Sequence, residues 1–574
     1  MKVQRLLRRF PSLWRASRLA RRWYYARYDA YPDWQQILES NNELWESARA
    51  GAKGGPRVLM ATAIGSFSHA VTLESALAAA LTFRGAEVHA LLCDGTMTAC
   101  AECEASLYPR IERFAQDGPS RDLCRDCFWP AERVYRQLGI TVHTYSDWLS
   151  PADRAEAARI VRGVATSEVR AFRHDGMAIG EHAYAGALRF FATGSLDDEP
   201  FAEPIVRRYL ESALLTAFAT RRLLRAIRFS STVVTHGIYV PWGIIAEVSR
   251  QEDVRVSTWN VAYRKRRFIF SHDDTYHHTL LSEPREHWER RQLSSEQEDE
   301  LMRYLQSRRE GLFDWIVFHR PSRQDPQEIA RTVGLDPSRP VIGLLTNVSW
   351  DAQLHYPANA FPDMLEWLVQ TCEYFGKRPD LQLLIRVHPA EISGFPPSRQ
   401  PILRELGKRL PRLPPNIHVV PPESELSTYA LMSLCNSVII YGTKTGVELA
   451  SRGIPVIVAG EAWIRNKGIT SDASSPAEYF RLLDSLPLPG HLDEQQTARA
   501  RRYAYHFFFN RMIPLPFVEP RKGNGSYRLN LKTLRHLLPG ASAGLDTICR
   551  GILGEAPFLL QDVVSEPSSE LVNS

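Results

Sequence analysis

Apolar residues fall along this chain in short unbroken runs, each stopped by a turn residue. Runs of this kind, spaced by longer periodic segments, predict parallel strands buried on both faces and the helices that connect them. Residues 58–63 (VLMATA) form the first run, and Gly65-Ser66-Phe67-Ser68 the loop behind it. From His69 the spacing of Val71, Leu73, Ala76, Leu77 and Leu81 predicts a helix, which Gly85 ends, and 88–92 supplies a second strand. This is a βαβ unit of Rossmann-like type without the strict G-x-G-x-x-G fingerprint, which argues against a dinucleotide cofactor. Helical, Ala- and Arg-rich patterns fill 151–230, and short strands follow at 233–234 and 254–259.

The pattern then repeats. Residues 383–387 (LLIRV) read as a buried strand ending at His388-Pro389, because proline cannot continue a ladder. Residues 438–441 form a second strand, which breaks at Gly442-Thr443-Lys444-Thr445-Gly446 before a helical pattern through Ala450. Residues 455–459 form a third, closing on Gly460-Glu461. The expected fold class is α/β, with two Rossmann-like domains. The boundaries expected from pattern and composition are 1–50 for a basic amphipathic segment and 51–284 for a first domain, with a cysteine module at 100–127 and a helical insertion at 151–230. A connection at 285–338, a second domain at 339–488, helices at 489–545 returning to the first domain, and a partly disordered tail at 546–574 complete the division.

Composition changes this picture in three places. A chain of 574 residues exceeds one ordinary core, and 44% hydrophobic with 24% charged residues excludes wholesale disorder. No run reaches the roughly 18 apolar residues of a membrane span, and arginines interrupt the stretch where a signal peptide would be apolar. Residues 1–28 carry Lys2, Arg5, Arg8, Arg9, Arg15, Arg18, Arg21, Arg22 and Arg27 with no acidic residue, interleaved with Leu6, Leu7, Phe10, Trp14 and Trp23. A basic segment rich in Trp and Leu suits an anionic membrane surface. No nucleic-acid module accompanies it, so nucleic acid is not the expected partner.

The candidate chemistry sits at strand ends, where ligands of open parallel sheets bind. His388 could donate to a departing phosphate and balance its charge. Gly442 and Gly446 would let backbone approach a ligand, while Thr443, Lys444 and Thr445 add donors and a positive charge at a helix start. The spacing is not that of a P-loop. Arg386, Glu391 and Glu461 complete the donor-side candidates. In the first domain His69 and Asp94 are alternative bases, and His236 and Tyr239 are placed to meet a sugar face. Cys100-x-x-Cys103 and Cys124-x-x-Cys127 have the ligand count and pairing of a closed tetrahedral zinc site with a structural role. An iron–sulfur cluster uses the same ligands and stays open as the alternative.

The HPAE stretch at 388–391, the run GTKTGVELASRGIPVIVAG at 442–460 and the segment LLTNVSWDAQLHYP at 344–357 together resemble the capsule polysaccharide biosynthesis family. That family includes bacterial transferases of the acidic sugar Kdo. The resemblance spans about 340–480 and implies a GT-B architecture, two Rossmann-like domains facing a cleft. It implies transfer of a sugar from a nucleotide-sugar to a surface polysaccharide or lipid-linked glycan, inverting and without a catalytic metal. By this resemblance His388 and Pro389 match the family's His-Pro motif on the donor phosphate. Thr443, Lys444, Thr445 and Glu448 match its phosphate and ribose segment. The family setting is the cytoplasmic face of the inner membrane, alongside other polysaccharide-assembly proteins. The cysteine module is not a general feature of Kdo transferases and marks a distinct branch. Polyol-phosphate transfer, UDP-sugar epimerisation and a non-catalytic scaffold are the rival readings.

Overall fold

Parallel strands cannot be joined by hairpins, so each of these apolar runs hands the chain to a crossover helix before the next can pair. In the computed structural model the chain divides into two compact units, one of 1–191, 195–276 and 511–574, the other of 192–194 and 277–510. The structure describes residues 31–108, 110–310, 314, 325–394, 396–521 and 527–560, with positions 13, 16, 17 and 20 besides. Most of the expected basic membrane-surface segment, and the tail from 561, lie outside the described residues.

In the first unit β1 (Arg57–Ala63) pairs parallel with β2 (Glu87–Leu92) on one side and β4 (Ser231–Thr235) on the other. Outward lie β3 (Thr141–Thr144), parallel to β2, and β5 (Arg255–Val261), parallel to β4. An antiparallel edge follows, β6 (Arg267–His272) and then the short strand Ile513–Pro514. The parallel order is thus β3-β2-β1-β4-β5, which reverses between β1 and β4. Helix α1 (Ser68–Thr82) crosses from β1 to β2 and is buried along nearly its whole length, so its apolar residues surround the helix instead of forming one stripe. Helix α2 (Arg121–Gln137) leads into β3, and α3 (Ala202–Ala226) into β4.

The boundary expected at residue 50 moves towards the N-terminus. Helices Trp34–Glu39 and Asn42–Ala52 bury Trp34 and Trp45, and the Trp45 ring packs on Phe83 at the end of α1, 5.7 Å between centroids. These residues are core of the first unit, not surface segment.

The second unit repeats the plan with six parallel strands in the order β12-β11-β10-β7-β8-β9. They are β7 (Val341–Leu345), β8 (Gln382–Arg386), β9 (Ile417–Val420), β10 (Ser437–Ile440), β11 (Val456–Val458) and β12 (Ser471–Asp472). Here the reversal lies between β7 and β10. One core of Ile342, Leu344, Trp367, Phe375, Leu383, Ile385 and Tyr479 fills one face.

The stretch expected to connect the domains belongs, where described, to the second unit. Helix α4 (Ser295–Glu310) sets the Tyr304 ring 5.0 Å from Phe508, and Trp288 sits 5.1 Å from Tyr503. Later in the chain come α5 (Thr445–Ala450) and α6 (Glu494–Tyr505). Of the stretch 489–545, expected to return to the first domain, residues up to Asn510 pack within the second unit, and the chain belongs to the first unit from Arg511. The physical reason is that Tyr503, Phe508 and Phe509 are all buried against α4 and its preceding loop.

Gly65, in the loop after β1, is fixed by a close approach. A Cβ there would stand 2.2 Å from the Cys127 carbonyl oxygen of α2, backbone against backbone. Gly65→Ala is therefore expected to destabilise the first unit by about 1–3 kcal/mol, seen as a lower midpoint in denaturant unfolding at unchanged slope.

Candidate functional site

In a doubly wound sheet the helices on either side of the order reversal leave a crevice at the carboxyl ends of the two central strands. In the second unit that crevice is formed by Thr346-Asn347 after β7 and Tyr441-Gly442 after β10. A Cβ built on Gly442 would lie 3.4 Å from Asn347 Nδ2 and 4.0 Å from the Glu461 carbonyl oxygen, so the ends of β7, β10 and β11 meet there. The loop 357–361 holds Glu461 in place. Ala358 N–H donates to Glu461 Oε1 at 3.1 Å, and Glu461 N–H donates to Asn359 Oδ1 at 2.9 Å. Asn347 Oδ1 and Glu461 Oε2 are buried with no hydrogen-bond partner among the described residues. Each orphaned acceptor costs about 1–3 kcal/mol, the cost expected where a ligand brings the missing donor.

His388 follows β8, the neighbour of β7. Its backbone N–H donates to Thr346 Oγ1 at 3.0 Å, which ties the loops after β7 and β8 together. Ala390 N–H donates to His388 Nδ1 at 3.1 Å, so the ring proton resides on Nε2. Burial first, then the Lys444 and Arg386 charges, lower its pKa to about 4. At neutral pH this ring is an uncharged donor. It offers a proton in a hydrogen bond and does not bring the balancing charge expected from the sequence. Pro389 begins the short helix Ala390–Ser393 and makes no side-chain hydrogen bond of its own.

Several donor-side candidates have structural duties. Glu448 is 1% exposed, its carboxylate held by Lys444 Nζ at 2.7 Å, Arg308 Nε at 3.0 Å and the Tyr429 hydroxyl at 2.5 Å. Burial pushes this carboxyl up, but Arg308 and Lys444 outweigh it and hold it at about 2. Arg308 pairs in turn with Asp314, which accepts from the Tyr304 hydroxyl at 2.9 Å. Lys444 and Glu448 thus fasten the turn after β10 to α4. Arg386 is 2% exposed and donates to the Pro421 and Ser424 carbonyls. Glu391, equally buried, accepts from Ile402 N–H at 3.1 Å, and burial raises its pKa to about 7. Gly446 serves packing and not ligand approach, since a Cβ there would meet Ile440 Cδ1 at 2.6 Å. Thr443 Oγ1 accepts from Thr445 N–H at 3.3 Å and donates to Thr445 Oγ1, closing the turn into α5.

In the first unit the reversal lies between β1 and β4, and His69 and His236 follow these two strands. Phe67 bridges them: its ring is 5.4 Å from His69 and 4.9 Å from Trp242, which stacks on His236 at 5.9 Å. Tyr239 lies 6.1 Å from His236. Ala63, His236 and Tyr239 have φ of 56°, 62° and 63°, left-handed conformations that non-glycine residues adopt at a cost of order 1–3 kcal/mol each. This strain lies at the switch point. Asn260 Nδ2 reaches His236 Nδ1 at 3.4 Å and the Tyr276 hydroxyl at 3.5 Å. Burial lowers the His69 pKa to about 4. Asp94 belongs to the cysteine loop instead, accepting from Thr96 Oγ1 at 2.7 Å.

That loop brings both cysteine pairs to one region. Cys100 Sγ and Cys103 Sγ are 3.8 Å apart, a Cβ on Gly95 would touch Cys124 Cβ at 3.1 Å, and Ser66 N–H donates to Cys127 Sγ at 3.3 Å. All eight cysteines are thiols, not disulfides. Among the described residues no three His, Cys, Asp or Glu side chains already close on one point as a metal cage. No described helix is long and apolar enough to cross a membrane.

Sequence reasoning did not single out Thr346, Asn347, Asn359, Asn260 or Arg308. Thr346-Asn347 had a usable signal, two polar residues directly after a buried run. Arg308 had none, because its partner Glu448 is 140 residues on in a separate element.

No family model and no curated protein matches the chain. Among solved structures it is similar to the beta Kdo 2,4 transferase KpsC of Thermosulfurimonas dismutans, at 13% identity over 54% of this chain and 87% of that one, TM-score 0.33. It is also similar to Acinetobacter baumannii MurG, at 13% identity over 78% of this chain and 95% of that one, TM-score 0.26. A third is UDP-GlcNAc 2-epimerase from Neisseria meningitidis bound to UDP-GlcNAc, at 11% identity over 78% and 98%, TM-score 0.24.

Two outcomes follow from the buried charges. Glu448→Ala leaves Arg308 and Lys444 facing each other without their carboxylate and is expected to cost about 3–5 kcal/mol of unfolding free energy. Glu391 has a folded pKa above its unfolded value, so ionising it opposes folding from about pH 4.5 upward, with the full penalty above about 7. Glu391→Gln keeps an acceptor for Ile402 and is expected to stabilise the second unit at pH 8, on the order of 2 kcal/mol, and not at pH 4, as read by urea titrations at both pH values.

Proposed function

We propose that this chain is a GT-B glycosyltransferase that moves a sugar from a nucleotide-sugar to a surface polysaccharide or lipid-linked glycan. The observation that carries the reading is the switch point of the second unit. There two buried acceptors without partners, Asn347 Oδ1 and Glu461 Oε2, lie beside the exposed backbone of Gly442, with His388 at the end of the adjoining strand. Acceptors of this kind suit the hydroxyl and amide donors of a nucleoside. The uncharged His388 Nε2–H suits a phosphate oxygen, stabilising the charge that develops as the glycosidic oxygen leaves.

The first unit supplies the acceptor half of the reading. His236, half-buried after β4 with the buried Tyr239 and Trp242 packed beside its ring, is the group placed to meet a sugar. In the reaction the acceptor hydroxyl oxygen attacks the anomeric carbon, the bond from that carbon to the nucleotide phosphate breaks, and the configuration inverts. The hydroxyl proton passes to His69, whose ring is neutral at pH 7 because burial has lowered its pKa. The strongly basic sequence at 1–28 supports work at an anionic membrane surface on the cytoplasmic side.

Calorimetry with CMP, UDP, CDP, GDP and dTDP tests the donor half. One nucleotide is expected to bind, and His388→Ala to weaken it about tenfold, the worth of one hydrogen bond to a charged group. Glu461→Gln should weaken it as well. A folded protein that binds none of the five would sink the proposal. Turnover of a UDP-sugar to its epimer with no acceptor present would replace it with the epimerase reading.

A further inference from the structure

The proposed transfer reaction makes no use of the four thiols at 100–127, yet the fold invests heavily in placing them. The segment 93–108 has little regular structure, a single turn of 3-10 helix at Ala105–Leu107, and is pinned from outside. Ala99 N–H donates to Ser212 Oγ at 2.8 Å, the Tyr209 hydroxyl to the Cys100 carbonyl at 3.1 Å, and Ala101 N–H to the Val240 carbonyl at 2.8 Å. Arg189 donates to the Ala101 carbonyl and lies over the Tyr239 ring at 5.7 Å. The second pair rides on α2, where Cys124 and Cys127 are one turn apart and so share a face.

We propose that Cys100, Cys103, Cys124 and Cys127 bind one structural zinc ion, and that the ion clamps the β1–α1 loop that leads into His69 in the first turn of α1. Three observations carry this. First, zinc–sulfur bonds of about 2.3 Å in a tetrahedron put neighbouring sulfurs about 3.8 Å apart, and Cys100 Sγ to Cys103 Sγ is 3.8 Å. Second, Cys127 Sγ already accepts the Ser66 N–H at 3.3 Å, the contact by which backbone amides support a metal-bound thiolate. Third, two glycines make room for the second pair. Gly65 lets the β1–α1 loop reach the Cys127 carbonyl, and Gly95, at φ 88°, lets the cysteine loop lie against Cys124. The thiols do not yet converge on one point. Cysteine has a single side-chain torsion, and a step between staggered wells swings its sulfur by about 3 Å, a movement available to each of the four thiols. The donor set is all sulfur and fills four positions, so it has no place for a reacting water.

The consequence is mechanical. Cys127 binds the ion and holds Ser66, three residues before His69, while the cysteine loop after β2 is joined through Ala101 to Val240, next to Tyr239. One ion thereby braces the loops after both central strands of the first unit.

The test measures metal and backbone protection, so it stands or falls apart from the transferase reading. The full chain, purified without added metal, is expected to carry about one zinc by elemental analysis, a stoichiometry set by its four ligands. Replacing zinc with cobalt is expected to give the intense thiolate-to-metal absorption of a tetrahedral all-sulfur site. Cys100→Ser, Cys103→Ser, Cys124→Ser and Cys127→Ser should each lose the metal, while Cys93→Ser and Cys435→Ser keep it. Stripping zinc with a mercurial should speed amide exchange at Ser66 through His69 at least tenfold. Where a serine variant does not fold, the cobalt spectrum of the unaltered chain decides. Metal-free protein with eight titratable thiols would overturn the site, as would iron with acid-labile sulfide. Loss of metal in Cys93→Ser but not in Cys124→Ser would overturn the donor set. Unchanged exchange at 66–69 on zinc removal would overturn the clamp.

Discussion

Parallel pairing is the constraint on which everything else in this chain depends. A strand that must run beside its predecessor in the same direction needs a crossover, and a right-handed crossover that switches sides leaves a gap between the two central strands. The chain makes this switch twice, between β1 and β4 and between β7 and β10. Both gaps open at strand ends, where backbone leaves the ladder. His69 and His236 stand at one gap, Asn347, Gly442 and Glu461 at the other, with His388 one strand away. The chemistry lies where topology stops pairing the backbone.

Around the second gap, charge is used for two purposes that look alike in sequence. Lys444 and Glu448 lie in the turn and helix after β10, yet their charges face inward to Arg308, Tyr429 and each other. Their role is to hold the turn rigid. At the crevice itself stand the neutral His388 imidazole and two buried oxygens without hydrogen-bond partners among the described residues, Asn347 Oδ1 and Glu461 Oε2.

The first gap is strained where the second is rigid. Three non-glycine residues at positive φ border it, and they persist because neighbours over-determine them. Gly237 sits so close to Thr258 that a Cβ would be 2.8 Å from its Cγ2, and His236 N–H is fixed to the Trp259 carbonyl at 2.8 Å. The cysteine loop adds a further brace from outside the sheet.

Most of the strand framework was legible from apolar runs alone, because strands buried on both faces leave no alternation to misread. The runs 58–63, 88–92, 383–387 and 438–441 all became strands, and the residues after them mark the site. What sequence did not reveal has one cause, the joining of groups far apart in the chain. Trp34 and Trp45 lie next to a basic segment but pack into the first core. The aromatic run 505–509 closes on α4 of its own unit, and Arg308 claims the carboxylate of Glu448. The sequence by itself determined that there would be two sheets built around parallel strands, which residues would stand at the carboxyl ends of those strands, and that four cysteines would come as two pairs. Only the tertiary structure decided strand order, hence where the gaps fall, and which polar groups were already spent on neighbours, because burial and partner choice belong to the packed chain and not to any window of it.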